Sequence, residues 1–271
     1  MLNDNGKIID TNRDILAEIA EKTRLRVAKD METVTFEEVK AKALALPKGV
    51  FVFEKALQTK EMSFICEVKK ASPSKGLIAP EFPYLQIAKD YEAAGASAIS
   101  CLTEPEYFMG SDRYLTEIVA AVSIPVLRKD FFVDPYMVYQ AKVLGASAVL
   151  LICAILSDEE LTEYFSIANH LGMSAIFEAH DEAEVRRAVA CGARIIGVNN
   201  RNLKTFALDL QNSIDLRNLV EDDIVFISES GIKTRADIVC LEQHKISAVL
   251  IGETLMREAD KKRALGELKG I

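Results

Sequence analysis

The chain has 271 residues, of which 49% are hydrophobic and 27% are charged. This length and composition allow one large buried core and suit a single barrel-sized domain. The formal net charge of −8 disfavours binding to nucleic acid or to an anionic membrane, so a site for an anion must be built from local donors.

Cysteine usage and hydropathy indicate a cytoplasmic protein. The five cysteines include no Cys-x-x-Cys pair and most lie in apolar runs, so we expect reduced residues in the core. No apolar stretch approaches the length of a membrane span. Residues 3–5, Asn-Asp-Asn, lack the basic-then-apolar order of a signal peptide.

Residues 1–62 predict a helical extension rather than a second domain. Apolar residues with helical spacing over 15–27 predict one highly charged helix, and a second apolar series over 36–46 predicts another. Pro47 follows directly and should end that second helix. The segment is too short and polar to hold a core, so we expect it to pack on the domain formed by residues 63–271.

From residue 63 onward, short β-branched runs alternate with longer segments of helical periodicity. The predicted strands span 63–69, 98–102, 125–129, 148–152, 174–178, 194–198, 224–228 and 248–251. A weak internal repeat relates residues 94–99 to 144–149, at a spacing of 50 residues. Regular alternation with a repeat of βα pairs predicts an α/β fold, a single (β/α)8 TIM barrel with an N-terminal helical extension. An open dinucleotide-binding sheet would carry a G-x-G-x-x-G loop, and the sequence has none.

Charged residues at the ends of the first and third strands are candidates for chemistry. A strand period of two puts Glu67 and Lys69 on one face with Ile65, and it puts Lys129 on the face of Leu127. The carboxyl ends of barrel strands meet at one mouth, so these groups should converge there. Two alternatives stay open: a structural Glu67–Lys69 ion pair, and a solvated basic edge at Lys129.

The fifth and sixth strands add a carboxylate and an amide. Glu178 shares the face of Ile176, and Asn199 shares the face of Gly197. We expect Gly197 to leave space for a ligand. The alternative for Asn199 and its neighbour Asn200 is an ordinary polar turn.

The last two strand ends predict an anion site. Ser230 with Gly231, and Gly252 with Glu253, follow the seventh and eighth strands, where barrels of this kind commonly bind phosphate. The three histidines show no metal-ligand spacing, so we interpret them as structural or surface residues and expect neither a metal nor a cofactor. His180 should lie just past the fifth strand.

Five ordered motifs resemble the indole-3-glycerol-phosphate synthase family. They cover nearly the whole chain from about residue 10, and the first is highly specific. The motifs are EVKKASPSKG at 67–76, LTEPEYFMGS at 102–111, LRKDF at 127–131, GVNNRNL at 197–203 and SESGI at 228–232. The resemblance implies ring closure, decarboxylation and dehydration of 1-(2-carboxyphenylamino)-1-deoxyribulose 5-phosphate to indole-3-glycerol phosphate, a carbon–carbon lyase reaction of tryptophan biosynthesis.

The resemblance also implies roles for the candidate residues. Lys129 is the first choice as the general acid of ring closure, and Lys69 can bind a substrate anion or act as an acid in dehydration. Either Glu178 or Glu67 can serve as the base, and the sequence does not divide that role. The remaining catalytic candidates are Asn199 and Ser230, and the substrate-binding candidates are Ser72, Phe108, Arg201, Gly231, Gly252 and Glu253.

The resemblance also implies particular contacts with the substrate. Phe108 and nearby aliphatic residues should pack against the anthranilate ring, and Arg201 and Asn199 should hold the carboxylate and the hydroxyls. Glu253 departs from the family pattern because it puts a carboxylate near the expected phosphate, where Thr254 is the alternative hydroxyl. We expect a small anionic phosphorylated substrate and a monomer, or at most a weak homodimer.

Three rival interpretations remain at this point. A Schiff-base aldolase would use Lys69 or Lys129 as a nucleophile. The neighbouring isomerase of the same pathway would need a cysteine and aspartate pair, but Cys66 faces away from Glu67. A catalytically inactive barrel would serve as a scaffold, although the charged mouth is intact.

Overall fold

The computed structural model describes residues 14–202 and 205–271. The first 13 residues of the predicted extension, among them the segment tested for a signal peptide, lie outside the described residues. So does Leu203, the last residue of the fourth motif.

The described residues form a closed barrel of eight parallel strands in sequence order, so the predicted fold class is confirmed. The strands are β1 (Ser63–Val68), β2 (Ala98–Leu102), β3 (Val126–Lys129), β4 (Ala148–Ile152), β5 (Ser174–Ala179), β6 (Ile195–Asn199), β7 (Val225–Glu229) and β8 (Ala248–Ile251). Their ends lie within one residue of the predicted ends. Closure comes from β1, which pairs with β2 on one side and with β8 on the other.

Helices follow the strands and cover the outside of the barrel. Those of the extension are α1 (Ile15–Thr33), α2 (Phe36–Ala45) and α3 (Val52–Leu57). Those of the barrel are α4 (Tyr84–Ala93), α5 (Asp112–Ala121), α6 (Pro135–Val143), α7 (Asp158–Leu171), α8 (Glu182–Ala190), α9 (Gln211–Arg217), α10 (Arg235–Gln243), α11 (Glu253–Arg257) and α12 (Lys261–Lys269).

The strands are apolar on both faces because each faces the barrel interior on one side and a helix on the other. Every residue of β1, β2, β4 and β5 is buried. Charged side chains therefore enter the strands only near their carboxyl ends, where they reach the mouth. This pattern is what restricts the candidate site to one end of the barrel.

The extension runs along the barrel from its mouth to its opposite end. Near the mouth, the Arg26 guanidinium of α1 donates to both Asp130 carboxylate oxygens at 2.9 Å. In the middle, α2 packs on α6, with Phe36 edge-to-face against Tyr139. At the amino ends of the strands, the Gly49 N–H donates to the Leu171 carbonyl at 2.9 Å.

Two smaller expectations need correction. Leu46 was expected inside the second helix, but α2 ends at Ala45 and Leu46 is exposed. Cys66, Cys101 and Cys153 are buried as expected, whereas Cys240 is exposed. None of the helices in the described part of the chain is long and apolar enough to cross a membrane.

Candidate active site

A cavity of about 460 Å³ opens at the carboxyl ends of the barrel strands, a size suited to a small-molecule ligand. All twelve candidate residues from the sequence line it. They are Glu67, Lys69, Ser72, Phe108, Lys129, Glu178, Asn199, Arg201, Ser230, Gly231, Gly252 and Glu253. The structure therefore brings together residues that lie up to 186 positions apart, from Glu67 to Glu253.

Lys129 lies at the centre of the charged part of the cavity. Its ammonium donates to Glu178 Oε2 at 2.6 Å and to Glu229 Oε2 at 2.9 Å. Burial acts to lower the pKa of Lys129, but the negative charges of Glu178, Glu229 and Glu67 outweigh it and raise that pKa well above its ordinary value. Lys129 is therefore held as an ammonium, which donates hydrogen bonds and is unsuited to attack as a free amine.

Glu178 is an ionised carboxylate beside that ammonium. Burial acts to raise its pKa, but Lys129 and His180, with hydrogen bonds from Lys129 and Asn199, lower the pKa below its ordinary value. The Asn199 amide donates to Glu178 Oε1 at 3.4 Å. An ionised carboxylate next to a fixed proton donor is the arrangement expected of a general acid and base pair.

Glu229 is a residue of this cluster that the sequence analysis did not single out. It is 2% exposed, and burial together with the nearby Glu178 charge raises its pKa to about 7, against the opposing effect of Lys129. Its Oε1 atom is buried and has no hydrogen-bond partner. The signal was present in the sequence, because a period of two from Ile227 puts Glu229 inside the barrel.

The Glu229 side chain occupies the space beside Gly197. A Cβ built on Gly197 would lie 2.2 Å from Glu229 Oε1 and 3.1 Å from Ile176. We expected this glycine to leave space for a ligand, but the Glu229 side chain fills that space. Gly197 instead allows a second carboxylate to reach Lys129.

Glu67 and Lys69 form an ion pair on the opposite wall. The Lys69 ammonium donates to Glu67 Oε1, and Ser100 Oγ donates to Glu67 Oε2 at 3.4 Å. Gly252 packs directly against the pair, since a Cβ there would lie 2.3 Å from Glu67 Oε1 and 2.8 Å from Lys69 Nζ. Any larger residue at Gly252 would push both charges out of place.

The far end of the cavity is formed by the loops that follow β7 and β8. Ser230 and Gly231 both have left-handed backbone, with φ of 69° and 87°. Asn200, buried beneath them, donates from its amide to the Ser230 carbonyl at 3.1 Å and to Ser228 Oγ at 2.9 Å. This network fixes the loop that follows β7 through Asn200 and Ser228, neither of which lines the cavity.

The Glu253 carboxylate lies among cations, which explains how it is tolerated there. Its oxygens are 3.8 Å from Lys75 Nζ, 3.8 Å from Arg201 Nη2 and 3.1 Å from Arg257 Nε. Burial lowers the pKa of Arg201, although Glu253 and Glu67 act to raise it. Thr254 Oγ donates to the Ile232 carbonyl at 2.7 Å, so its hydroxyl is held by the backbone.

An apolar wall completes the cavity. Phe108 packs on Phe131 with ring centroids 6.2 Å apart, and the Glu104 carboxylate holds the Phe108 loop by accepting from three successive backbone N–H groups. Ile15 and Ile19 of α1 and Leu208 also line the cavity. The resemblance implies that the N-terminal extension helps cover the mouth of the site, but periodicity does not reveal which residues of α1, or of the loop at Leu208, dock there.

His180 is closer to the site than expected. It follows β5 as predicted, but its Nε2 atom is 3.6 Å from Glu178 Oε1. Among the described residues, no group of three or more histidine, cysteine, aspartate or glutamate side chains is arranged to hold a metal ion.

The comparisons with known proteins agree on one family. A sequence profile of the family described as indole-3-glycerol phosphate synthase matches residues 16–268. A protein of that name from Ruminiclostridium cellulolyticum is 58% identical over 257 residues, covering 94% of this chain and 99% of that protein. One from Endomicrobium trichonymphae is 53% identical over 256 residues, with the same coverage of 94% and 99%.

Solved structures show a more distant likeness. A 3-hexulose-6-phosphate synthase superposes with a TM-score of 0.64 at 15% identity, over 77% of this chain and 99% of that chain. At this identity the likeness concerns the fold alone.

Proposed function

This chain belongs to the indole-3-glycerol phosphate synthase family, and we propose that its cavity performs that synthesis by acid–base catalysis with Lys129 as the first acid. The substrate is 1-(2-carboxyphenylamino)-1-deoxyribulose 5-phosphate, and the product is indole-3-glycerol phosphate. The observation that carries the proposal is the Lys129 ammonium held between two buried carboxylates at the base of the cavity.

Substrate binding is proposed to use the two ends of the cavity differently. The phosphate binds at the loops after β7 and β8, where Ser230, Gly231 and Gly252 offer backbone and Lys75 and Arg201 offer charge. The anthranilate ring packs against Phe108. The substrate carboxylate then pairs with Lys69.

Ring closure is the step for which the Lys129 geometry is suited. The ring carbon that carries the carboxylate attacks the ketone carbon, and the ketone oxygen gains negative charge. Lys129 gives that oxygen a proton and forms a hydroxyl group. Holding both ends of a flexible chain in the closing geometry supplies a large part of the rate.

Decarboxylation and dehydration complete the reaction. The carbon–carbon bond to the carboxylate breaks, carbon dioxide leaves, and the released electron pair neutralises the positively charged nitrogen formed by closure. Glu178 then removes a proton from the ring carbon that is bonded to nitrogen, and the electron pair of that C–H bond forms the ring double bond while the neighbouring hydroxyl group leaves as water with a proton from Lys69. Glu178 is the better base because it is ionised and lies beside Lys129, where the hydroxyl forms.

The direct test is a fluorescence assay for indole formation with purified protein. We expect turnover by the wild type and a loss of about 10²–10⁴-fold in kcat for K129M, the range typical of a general acid. K69A should also lose activity. Its neighbour Lys70 does not line the cavity, so K70A is the matched control and should keep wild-type activity.

The outcomes separate the proposal from its rivals. An aldolase would form an adduct on Lys69 or Lys129 that borohydride traps in the presence of substrate, and we expect none. An inactive scaffold would be folded and give no signal in the assay. Full activity of K129M would overturn the assignment of the acid.

We further propose that the chain acts as a monomer in the cytoplasm, with residues 1–62 as an extension of one structural unit. Ile15 and Ile19 of the extension line the cavity together with barrel residues, which supports one structural unit. Sedimentation analysis at assay concentrations should give the mass of one chain.

A further inference from the structure

His180 joins the candidate base to the protein surface. Its Nδ1 atom is 3.1 Å from Glu184 Oε2 on α8, and its Nε2 atom is 3.6 Å from Glu178 Oε1. The other Glu178 oxygen, Oε2, accepts from Lys129 at 2.6 Å. Glu184, His180, Glu178 and Lys129 therefore form a continuous chain of alternating charge types that ends at the centre of the cavity.

The imidazole is fixed in this position from several sides. The His180 backbone N–H donates to Glu184 Oε2 at 2.8 Å, and the Asn212 amide of α9 donates to the His180 carbonyl at 3.1 Å, so the main chain that carries the ring is held on both sides. The side chain is only 16% exposed. Among the described residues its buried Nε2 atom has no hydrogen-bond partner, and Glu178 Oε1 lies 3.6 Å from it.

The charges facing this imidazole are carboxylates. Glu178 comes from β5 and Glu184 from α8, and Glu229 of β7 acts at longer range. Lys129 is the cation on the far side of Glu178. Asn199 already donates to Glu178 Oε1 at 3.4 Å, so a positive charge on His180 would add a charged partner to that oxygen.

We propose that His180 is a positioning residue of the reaction, which orients the Glu178 carboxylate and supplies a titratable cation behind it. The inference rests on the proposed role of Glu178 as base. The imidazolium donates toward Glu178 Oε1, which leaves Oε2 facing Lys129 and the substrate. Neutral imidazole loses this effect once its single N–H is directed to Glu184.

The sign of the pH dependence follows from these contacts. Burial acts to lower the pKa of His180, but Glu184, Glu178 and Glu229 outweigh it and raise the pKa above its ordinary value. The supporting imidazolium is therefore present below that pKa and is lost as pH rises through it. Activity should decline on the alkaline side for this reason, while Lys129, whose pKa is raised, remains protonated.

The test is a pH profile of kcat for the wild type, H180Q, E184Q and the double variant. We expect H180Q to lose about 5–50-fold in kcat with KM changed by less than about threefold, since a positioned base is worth up to about 10⁴-fold in total. Removing the Glu184 charge should move the alkaline decline to lower pH by about half a unit or more. In the H180Q background, E184Q should have no further effect on the profile.

Each outcome has a distinct meaning. H170Q is the matched control, because His170 is exposed at the end of α7, and it should reproduce the wild-type profile. An inactive wild type would overturn the proposed function itself. An active wild type with an unchanged profile in both H180Q and E184Q would overturn the role of His180 alone, and E184Q still decides the question if H180Q does not fold.

Discussion

Glu229 is a buried carboxylate whose surroundings disfavour its ionised form. It shares the Lys129 ammonium with Glu178, so two carboxylates compete for one cation inside the barrel. Its pKa is raised to about 7 by burial and by Glu178, which means that folding favours the protonated form. The stability from this group is present below the ordinary carboxyl pKa of 4.5 and is lost as pH rises through about 7.

The variant E229Q should therefore separate stability from activity. Gln keeps the size of Glu229 but does not titrate, so the Tm of E229Q relative to the wild type should rise between pH 5 and pH 8. We expect a relative gain of about 2–4 °C, which corresponds to roughly 1 kcal/mol for a chain of this size. Calorimetry at both pH values measures it, together with kcat, which should fall because Lys129 loses a partner.

A relative loss of Tm at pH 8 would contradict this account. It would mean that the ionised Glu229–Lys129 pair stabilises the fold by more than the burial of the charge destabilises it. E229D would then serve as the second comparison, since it keeps the charge and shortens the side chain.

Sequence reasoning at this scale was strong where one strand decides the outcome. The period of two placed Glu67, Lys69 and Lys129 at the mouth, and the cavity contains all three. It did not reveal that Gly197 makes room for Glu229, or that His180 reaches Glu178. Those contacts join different strands and helices, so they depend on barrel tilt and stagger, which no local pattern encodes.

Among the elements, α1 is held over the mouth by a buried ion pair and, at the loop after β2, by the Lys22–Glu106 pair and the Tyr107–Glu18 hydrogen bond. Arg26 donates to both oxygens of Asp130, whose side chain is fully buried, and Asp130 adjoins Lys129. Thr103 and Arg128 hold the same carboxylate from the barrel side. The pKa of Asp130 is lowered because these partners outweigh its burial.

The variant R26M should loosen α1 and weaken substrate binding. Removing one partner of a buried pair leaves Asp130 incompletely compensated, so we expect a loss of about 2–4 kcal/mol in the free energy of unfolding. KM should rise more than kcat falls, because Ile15 and Ile19 of the same helix line the cavity. Chemical denaturation and steady-state kinetics measure the two effects.

Arg24 on the same helix provides the matched control. It is exposed and pairs only at 3.6 Å with Glu21, so R24M should change stability by less than about 0.5 kcal/mol. Equal losses in R24M and R26M would show that the effect comes from helix propensity rather than from Asp130.

At the amino ends of the strands, the extension contacts the barrel through two glycines, Gly49 and Gly172, whose backbones are in close contact. Gly172 ends α7 with φ of 72°, and a Cβ on it would lie 2.1 Å from the Gly49 carbonyl oxygen. Gly192 has a similar φ of 79° but has nothing within 4 Å of such a Cβ. The pair thus separates backbone strain from steric contact.

G172A should destabilise the protein more than G192A. Alanine in left-handed backbone costs about 1–2 kcal/mol, and this is the whole effect expected for G192A. G172A must also displace the 46–51 segment from the end of α7, so we expect a Tm lower by several degrees than that of G192A. Similar Tm values for the two variants would contradict the role of this contact.

Helix and strand limits were predictable because capping and periodicity are local signals. Asp134 accepts from the Tyr136 N–H ahead of Pro135, and Ser157 with Glu160 forms a capping box, both as the residue types predict. The docking of the extension was not predictable in this way. The apolar faces of α1 and α2 identify a buried side, but they do not identify what covers it.

For the whole molecule, the division into an extension and a barrel remains a prediction from composition. Unfolding measurements can test whether the two parts are separately stable. The extension contacts the mouth through Arg26, the flank through Phe36 and the opposite end through Gly49. Contacts spread over the full height of the barrel should couple the two parts. We therefore expect one cooperative unfolding transition instead of early loss of the extension.

The absence of tryptophan from the sequence makes this measurable with single-residue reporters. F36W reports on α2, where Phe36 packs on Tyr139, and F82W reports on the barrel surface, where Phe82 packs on Tyr114. Both rings are half-buried, so the substitutions are comparable in severity. For each variant, we compare the urea concentration at the fluorescence midpoint with that at the circular dichroism midpoint. The two midpoints should coincide in both variants. A midpoint for F36W well below the loss of barrel helicity would mean that residues 14–62 unfold first, and the extension would then be a separate folding unit attached to a barrel that is stable without it.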